Sequence, residues 1–332
     1  MSGINLVKVQ HGIEAVAGTL VAATMVYPGE AEVTFEDKVE LPDYTTGFGG
    51  GSATEETFMS QTGTTLTLKD TPCSVELLAY MLQAGVKTTG SGTSSFAFAF
   101  PTTAANTISS YTWEFATALQ EYEAGYGFLT DFSIKADGGA NNGKVMFNGI
   151  VRARKAAAST VTASLSRYST HEPLMINGAS KFSIDAAGTA AGTASHLAAT
   201  LRGFSMDVKT GWFPGHYADA RTANDFSVPE GGGTAYEITG NIKLLLNATS
   251  VTELANSRAG TSRMVYIALD GTSSRKLAIA LPLVFTSAPK LATPVENGLI
   301  MCEFPYRSKY SRTSTAQGPS ITGTTSAALT IT

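Results

Sequence analysis

Few residues in this chain are spaced for chemistry. Its histidines are His11, His171, His196 and His216, and none has another histidine or a cysteine at metal-ligand spacing, which argues against a zinc site. Cys73 and Cys302 are the only cysteines, far apart and in no metal pattern; two thiols in 332 residues fit folding in a reducing compartment. Serine, histidine and aspartate are all present, yet no Gly-x-Ser-x-Gly elbow presents a nucleophile. The glycine clusters at 47–51 and at Gly90-Ser91-Gly92 lack the Lys-Ser/Thr that would complete a phosphate loop. Glu55-Glu56 and the Glu121/Glu123 pair could supply carboxylates, but solvated faces explain them at less cost. The one dense basic run, Arg152-Ala153-Arg154-Lys155, reads as a strand-end guard rather than a nucleic-acid patch. These patterns point away from an enzyme and predict no catalytic residue, metal or cofactor.

The segments around these residues are strand-like. Phe96, Phe98 and Phe100 alternate with alanines; Tyr111, Trp113 and Phe115 share a face; Phe204, Met206 and Val208 oppose Ser205, Asp207 and Lys209. Period-two alternation marks strands with one buried face. Asp137-Gly138-Gly139-Ala140-Asn141-Asn142-Gly143 is turn chemistry and predicts a hairpin between residues 132–135 and 144–147; Asp270-Gly271 predicts another. Two short helices are expected. The first has Thr71 as cap, Pro72 at its first position and Gly85 past its end. The second has a capping box of Ser250 and Glu253, with Val251 and Leu254 facing inward.

Element order suggests one unit present twice. The first copy reads as a strand at 32–36, a long loop, a strand at 65–69, the first helix, and strands at 96–100 and 111–118. The second reads as a strand at 204–209, a long loop, a strand at 236–246, the second helix, and strands at 264–269 and 276–285. The expected fold is therefore mainly β: two tandem β-sandwich domains, at 1–165 and 166–310, each with a flanking short helix and a long hairpin loop. An Ala/Ser/Thr/Gly-rich connection over 155–200 holds one strand near 181–185, and residues 311–332 form a C-terminal arm or a disordered tail.

The two loops carry large aromatics among glycines. Leu41, Tyr44 and Phe48 lie in the first, and Trp212, Phe213 and Tyr217 in the second. Loops of this length inside compact domains are commonly functional, and exposed rings favour burial by a partner. These six residues are the candidate contacts between subunits. Charge is uneven, 9 basic against 16 acidic residues over 1–165 and 14 against 11 over 166–332. Opposite balances of −7 and +3 suit head-to-tail association. Residues 13–26 are broken by Glu14 and follow no basic cluster, so neither a signal peptide nor a membrane span is expected.

An ordered set of segments resembles the major tail tube proteins of long-tailed bacteriophages. Gly12-Ile13-Glu14-Ala15-Val16-Ala17-Gly18-Thr19 is similar to that family's G-x-E-x-x-x-G-T opening. Thr71-Pro72 through Leu82 and Gly85 resembles its helix. Asp131-Phe132-Ser133-Ile134-Lys135 with Lys144-Val145-Met146-Phe147-Asn148-Gly149 resembles its hairpin, and Leu281-Pro282-Leu283-Val284 with the Phe304 region fits its second half. The resemblance spans most of residues 10–310. It implies β-sandwich subunits in six-domain rings, stacked into a hollow tube through which the genome passes to the host. With two domains per chain, a ring would be a homotrimer, or alternatively a homohexamer with the second domain outside. Implied partners are further copies of the chain and the tail terminator, tape measure and tail tip proteins, with DNA only passing through a lumen of net negative potential. The implied location is the virion tail, after assembly in the host cytoplasm. A capsid decoration protein, a head–tail connector and a carbohydrate-binding surface module are the alternatives.

Overall fold

The computed structural model describes residues 4–5, 8–40, 58–87, 94–100, 107–165, 172–176, 179–216, 225, 228–231, 236–271, 275–287, 290–296, 299–309 and 318–325. The protein is mainly β. The first half contains β1 (Ile4–Asn5), β2 (Lys8–Ile13), β3 (Met25–Val26), β4 (Ala31–Phe35), β5 (Lys38–Glu40) and β6 (Phe58–Gln61). It continues with β7 (Thr64–Pro72), α1 (Val75–Gly85), β8 (Ser95–Ala99), β9 (Tyr111–Ala116), β10 (Glu121–Asp137), β11 (Met146–Ala153) and β12 (Ala157–Ala158). The second half holds β13 (Ala179–Ala186), β14 (Leu201–Lys209), β15 (Trp212–Gly215), β16 (Val228–Gly231), β17 (Glu237–Leu245) and α2 (Ala248–Arg258). After them come β18 (Arg263–Asp270), β19 (Lys276–Phe285), β20 (Lys290–Glu296), β21 (Leu299–Ser308) and β22 (Ser320–Thr324).

Strand pairing repeats between the halves. In the first, the antiparallel order is β2–β9–β10–β11–β7–β4. In the second it is β13–β18–β19–β21–β17–β14, with β20 carrying the line of β19 onward along β21. The counterparts are thus β9 with β18, and β10 with β19 and β20 together. This corrects the element-by-element match drawn from the sequence, which set the Phe96 strand against the Met264 strand. β8 has no counterpart in the repeat: it pairs with β22 from the C-terminal region, which pairs in turn with β19. Residues 320–324 of the expected arm or tail are therefore a strand on their own chain. Ile321 is fully buried, and a Cβ on Gly323 would meet the Phe96 ring at 2.3 Å, so only glycine lets the two strands approach.

β10 is long because it serves two sheets. Its first part pairs with β9 and β12, and its second with β11 and β14. The register shifts between Ala124 and Gly127, where Tyr126 adopts a left-handed φ of 57°. A bulge of this kind bends a strand and raises its twist. The Tyr126 N–H exposed by the bulge donates to Glu14 Oε1 at 2.7 Å. Glu14 also accepts from Gly18 N–H at 2.6 Å, Ser110 Oγ at 2.6 Å and Thr112 Oγ1 at 3.0 Å. The opening Gly-x-Glu motif thus ties residues 14–18 to the bend.

Both helices form where expected, with different caps. The strand before α1 runs through Pro72, so Ser74 and not Thr71 is the cap, its Oγ accepting from Leu77 N–H at 3.2 Å. For α2 the capping box pairs Asn247 with Ser250. Every residue of α1 is buried, whereas Ser250 and Glu253 alone are buried in α2. Val251, expected to face inward, is exposed, while Leu254 packs against the core. One apolar cluster runs through both halves, from Leu66, Trp113 and Phe147 to Phe204, Ile267 and Phe304. The division expected at 165/166 falls beside residues outside the described set.

Candidate assembly surfaces

The most consequential joint lies between the two units. β10 pairs with β14 from Asp131↔Lys209 to Asp137↔Gly203. Thr210 extends the joint, its N–H donating to Thr130 O at 2.9 Å and its hydroxyl reaching Leu129 O at 2.9 Å. The result is one continuous sheet in the order β4–β7–β11–β10–β14–β17–β21–β20, four strands from each unit. The units meet head to tail, the outer strand of one against the opening strand of the next.

The two ends of this sheet are the counterparts of that joint. β20 corresponds to the part of β10 that holds β14, and among the described residues β21 is its one strand partner. Pro294, which has no N–H to give a ladder, lies within it where the register against β21 shifts between Ala292 and Glu296. β4 corresponds to β14, and the side away from β7 carries two residues of β1, with Ile4↔Val33 and Asn5↔Glu32. An unpaired edge is a template for another strand.

One face of the continuous sheet is core, formed by Leu66, Leu68, Phe132, Ile134, Met206, Val208, Ile242 and Phe304. The other face is polar, and six of its cations are paired with carboxylates. Glu32 meets Lys69 at 2.6 Å, Asp137 meets Lys243 at 2.9 Å, Arg307 meets Glu237 at 3.2 Å, and Lys135 meets Asp207 at 3.5 Å. Lys209 also reaches Glu237, at 3.7 Å, and Arg152 pairs with Glu36. Burial pushes the Asp137 carboxyl up, but the Gly139 N–H and Lys243 outweigh it and hold it below the usual range. Exposed pairs of this type contribute little to stability, on the order of 1 kcal/mol or less each. Their effect is on the potential: cations and carboxylates alternate.

Both long loops leave the sheet as two-stranded ribbons, β5 with β6 and β15 with β16. Of the six aromatic and apolar residues expected to meet other subunits, Leu41, Tyr44, Phe48 and Tyr217 lie outside the described residues. Trp212 is buried against Tyr126 and Phe128 of the first unit, whereas its neighbour Phe213 is half-exposed. Asp225, in the second loop, accepts from Lys155 N–H at 2.7 Å, so that arm also touches the first unit. Arg154 of the basic run sits over the Tyr126 ring at 4.5 Å. With Arg152 bound to Glu36, the run's arginines are engaged within the chain and do not stand as a solvated guard.

Among the described residues no group of three His, Cys, Asp or Glu side chains could hold a metal ion. His11 is buried among Tyr80, Tyr111 and Trp113, and desolvation drops its pKa to about 3, so the ring is neutral. Burial raises both thiols, Cys73 and Cys302, away from reactivity. No described helix is long and apolar enough to cross a membrane.

The fold and surfaces thus define a protein of two like β units joined edge to edge, with polar pairing on one sheet face and apolar core on the other. No known family model matches the chain, and no curated protein is similar to it in sequence.

Proposed function

We propose that this chain is a structural subunit that assembles head to tail into rings, which stack into a hollow conduit for double-stranded DNA: the tail tube of a long-tailed bacteriophage. The observation that carries this reading is the intrachain β10–β14 joint together with its two counterparts: β20, which among the described residues pairs with β21 alone, and β4, whose outer side carries only the two residues of β1 among the described residues. A contact that links the first unit to the second can link the second to the first unit of another copy. Heterologous contacts of this kind generate rings when the rotation closes. With two units per chain, three copies would complete a ring of six units, the sheet closing into a barrel that leaves no edge exposed.

The polar face of the continuous sheet would line the lumen and the core face would lie outward. Lys69, Lys135, Arg152, Lys209, Lys243 and Arg307 each already have a carboxylate partner. Passing phosphates then gain little by displacing counterions at these six cations, because each is already neutralised. This replaces a simple acidic lumen by a charge-alternating one. The carbohydrate-binding alternative needs an open aromatic platform, and Trp212, its largest ring, is buried.

Negative-stain electron microscopy of the purified chain, with its mass in solution, tests the proposal. Rings or tubes built from trimers are the expected result. Rings of six chains would sink the trimeric arrangement, and a monomer with no polymers under any condition would sink the assembly reading itself.

A further inference from the structure

The internal repeat allows each surface of one unit to be compared with its counterpart in the other. Residue Cys73, just before the cap of α1, donates its N–H to Val145 O at 2.7 Å; Leu246, just before the cap of α2, donates to Ile300 O at 2.9 Å. These two corners are the same place in the repeat, and on this match Val251 corresponds to Leu78.

Their environments differ sharply. The first corner is sealed. Leu174 bonds across it, donating to Cys73 O at 2.8 Å and accepting from Val145 N–H at 2.8 Å. The β18–β19 turn of the second unit also reaches it, Arg275 Nε donating to Glu76 Oε1 at 2.9 Å in a buried pair. Leu78 there is fully buried. At the second corner Val251 is 54% exposed and Ile300 41%, with Leu246 and Leu299 exposed beside them. Single exposed aliphatics are ordinary, but a contiguous group whose counterpart is sealed points to a missing cover.

The counterpart of the sealing turn is also present. The β9–β10 turn closes with Thr117 N–H to Gln120 O at 2.9 Å, as the β18–β19 turn closes with Gly271 N–H to Arg275 O at 2.8 Å. At its tip Leu119 is 97% exposed.

We propose that the Leu246/Val251/Leu299/Ile300 corner is the seat for the β9–β10 turn of a second copy, with Leu119 as the inserted side chain. The proposal rests on the head-to-tail reading and names the contact that would seal each seam between chains. Within a chain the turn reaches its corner through the Arg275–Glu76 pair; between chains the matched positions hold the uncharged Gln120 and Thr249, with the exposed aliphatics Leu119 and Val251 beside them. That difference gives the two seams distinct chemistry, which discriminates right from wrong partners.

Two variants of the full chain test it. Leu119→Cys combined with Val251→Cys should form interchain disulfides on oxidation, in a ladder ending at three copies on a non-reducing gel. Background should be low because Cys73 and Cys302 are buried. Leu119→Asp should keep the unaltered melting curve yet associate roughly tenfold or more weakly by sedimentation. Oligomers that form with no 119–251 disulfide, or Leu119→Asp chains that associate as tightly as the unaltered chain, would overturn this contact while leaving head-to-tail assembly standing. An unaltered chain that stays monomeric at every concentration, with the cysteine pair uncrosslinked, would overturn both.

Discussion

Helices α1 and α2 occupy the same place in two copies of one unit, and both are eleven residues long. α1, Val-Glu-Leu-Leu-Ala-Tyr-Met-Leu-Gln-Ala-Gly, is apolar around much of its circumference, as suits a helix enclosed on all sides. α2, Ala-Thr-Ser-Val-Thr-Glu-Leu-Ala-Asn-Ser-Arg, has one modest inward stripe and an open outer face. The fold of the unit is not what separates them. α1 lies in the seam between the two units, where Arg275 and Thr325 both bond Glu76, while α2 lies in the second unit with its outer face exposed and, of its residues, Ser250 and Glu253 alone buried. Equivalent elements thus take their composition from their neighbours.

The sharpest way to break this comparison is to place the same charge at both helices. Leu78→Asp should cost about 4 kcal/mol or more, because it buries a carboxylate with no partner. A thermal melt that does not move would show that α1 is not enclosed. The next effect lies in the seam itself. Arg275→Ala leaves Glu76 buried without its cation and should cost about 3 kcal/mol. Equal denaturation midpoints for the variant and the unaltered chain would mean that the pair does not hold the units together.

A smaller effect concerns pH and the first unit alone. Burial pushes the Glu114 carboxyl up, but N–H groups of Thr162 and Ala23 with the side chains of Gln10 and Thr162 bring it below its ordinary value. A depressed carboxylate stabilises the fold above its unfolded pKa of about 4.3, and that contribution is lost as pH falls through the folded value. Glu114→Gln should therefore lose about 1–2 kcal/mol at neutral pH and show a flatter acid limb. Parallel acid limbs for the two chains would refute the assignment. The smallest change in stability is expected from Val251→Asp, within about 0.5 kcal/mol, since its side chain faces water. A large destabilisation there would mean that α2 is as enclosed as α1, and the contrast between the helices would fall.

Much of the local structure was legible from residue patterns. The Phe204/Met206/Val208 alternation, the Asp-Gly-Gly turn before β11 and the helix after β7 all fall where the sequence places them. Two details shifted for local reasons: Ser74 outcompetes Thr71 as a cap because β7 keeps pairing with β11 through Pro72, and Asn247 caps one turn before the expected start. Val251 was misplaced because an aliphatic residue at a helical position does not say whether its cover belongs to the same chain.

By itself, the sequence determined the alternating strands around Phe98, Trp113 and Met206, the turn at 137–143 and the two short helices, because side-chain periodicity is a local property written residue by residue. It also carried the low density of reactive groups. Only the tertiary structure decided that β9 and not β8 belongs to the repeat, that β22 returns to its own chain, and that β10 meets β14 while, among the described residues, β20 pairs with β21 alone and β4 carries the short β1. Those choices are made by backbone N–H and C=O groups, which every residue except proline carries alike, so strand partnership leaves almost no mark on the amino-acid sequence.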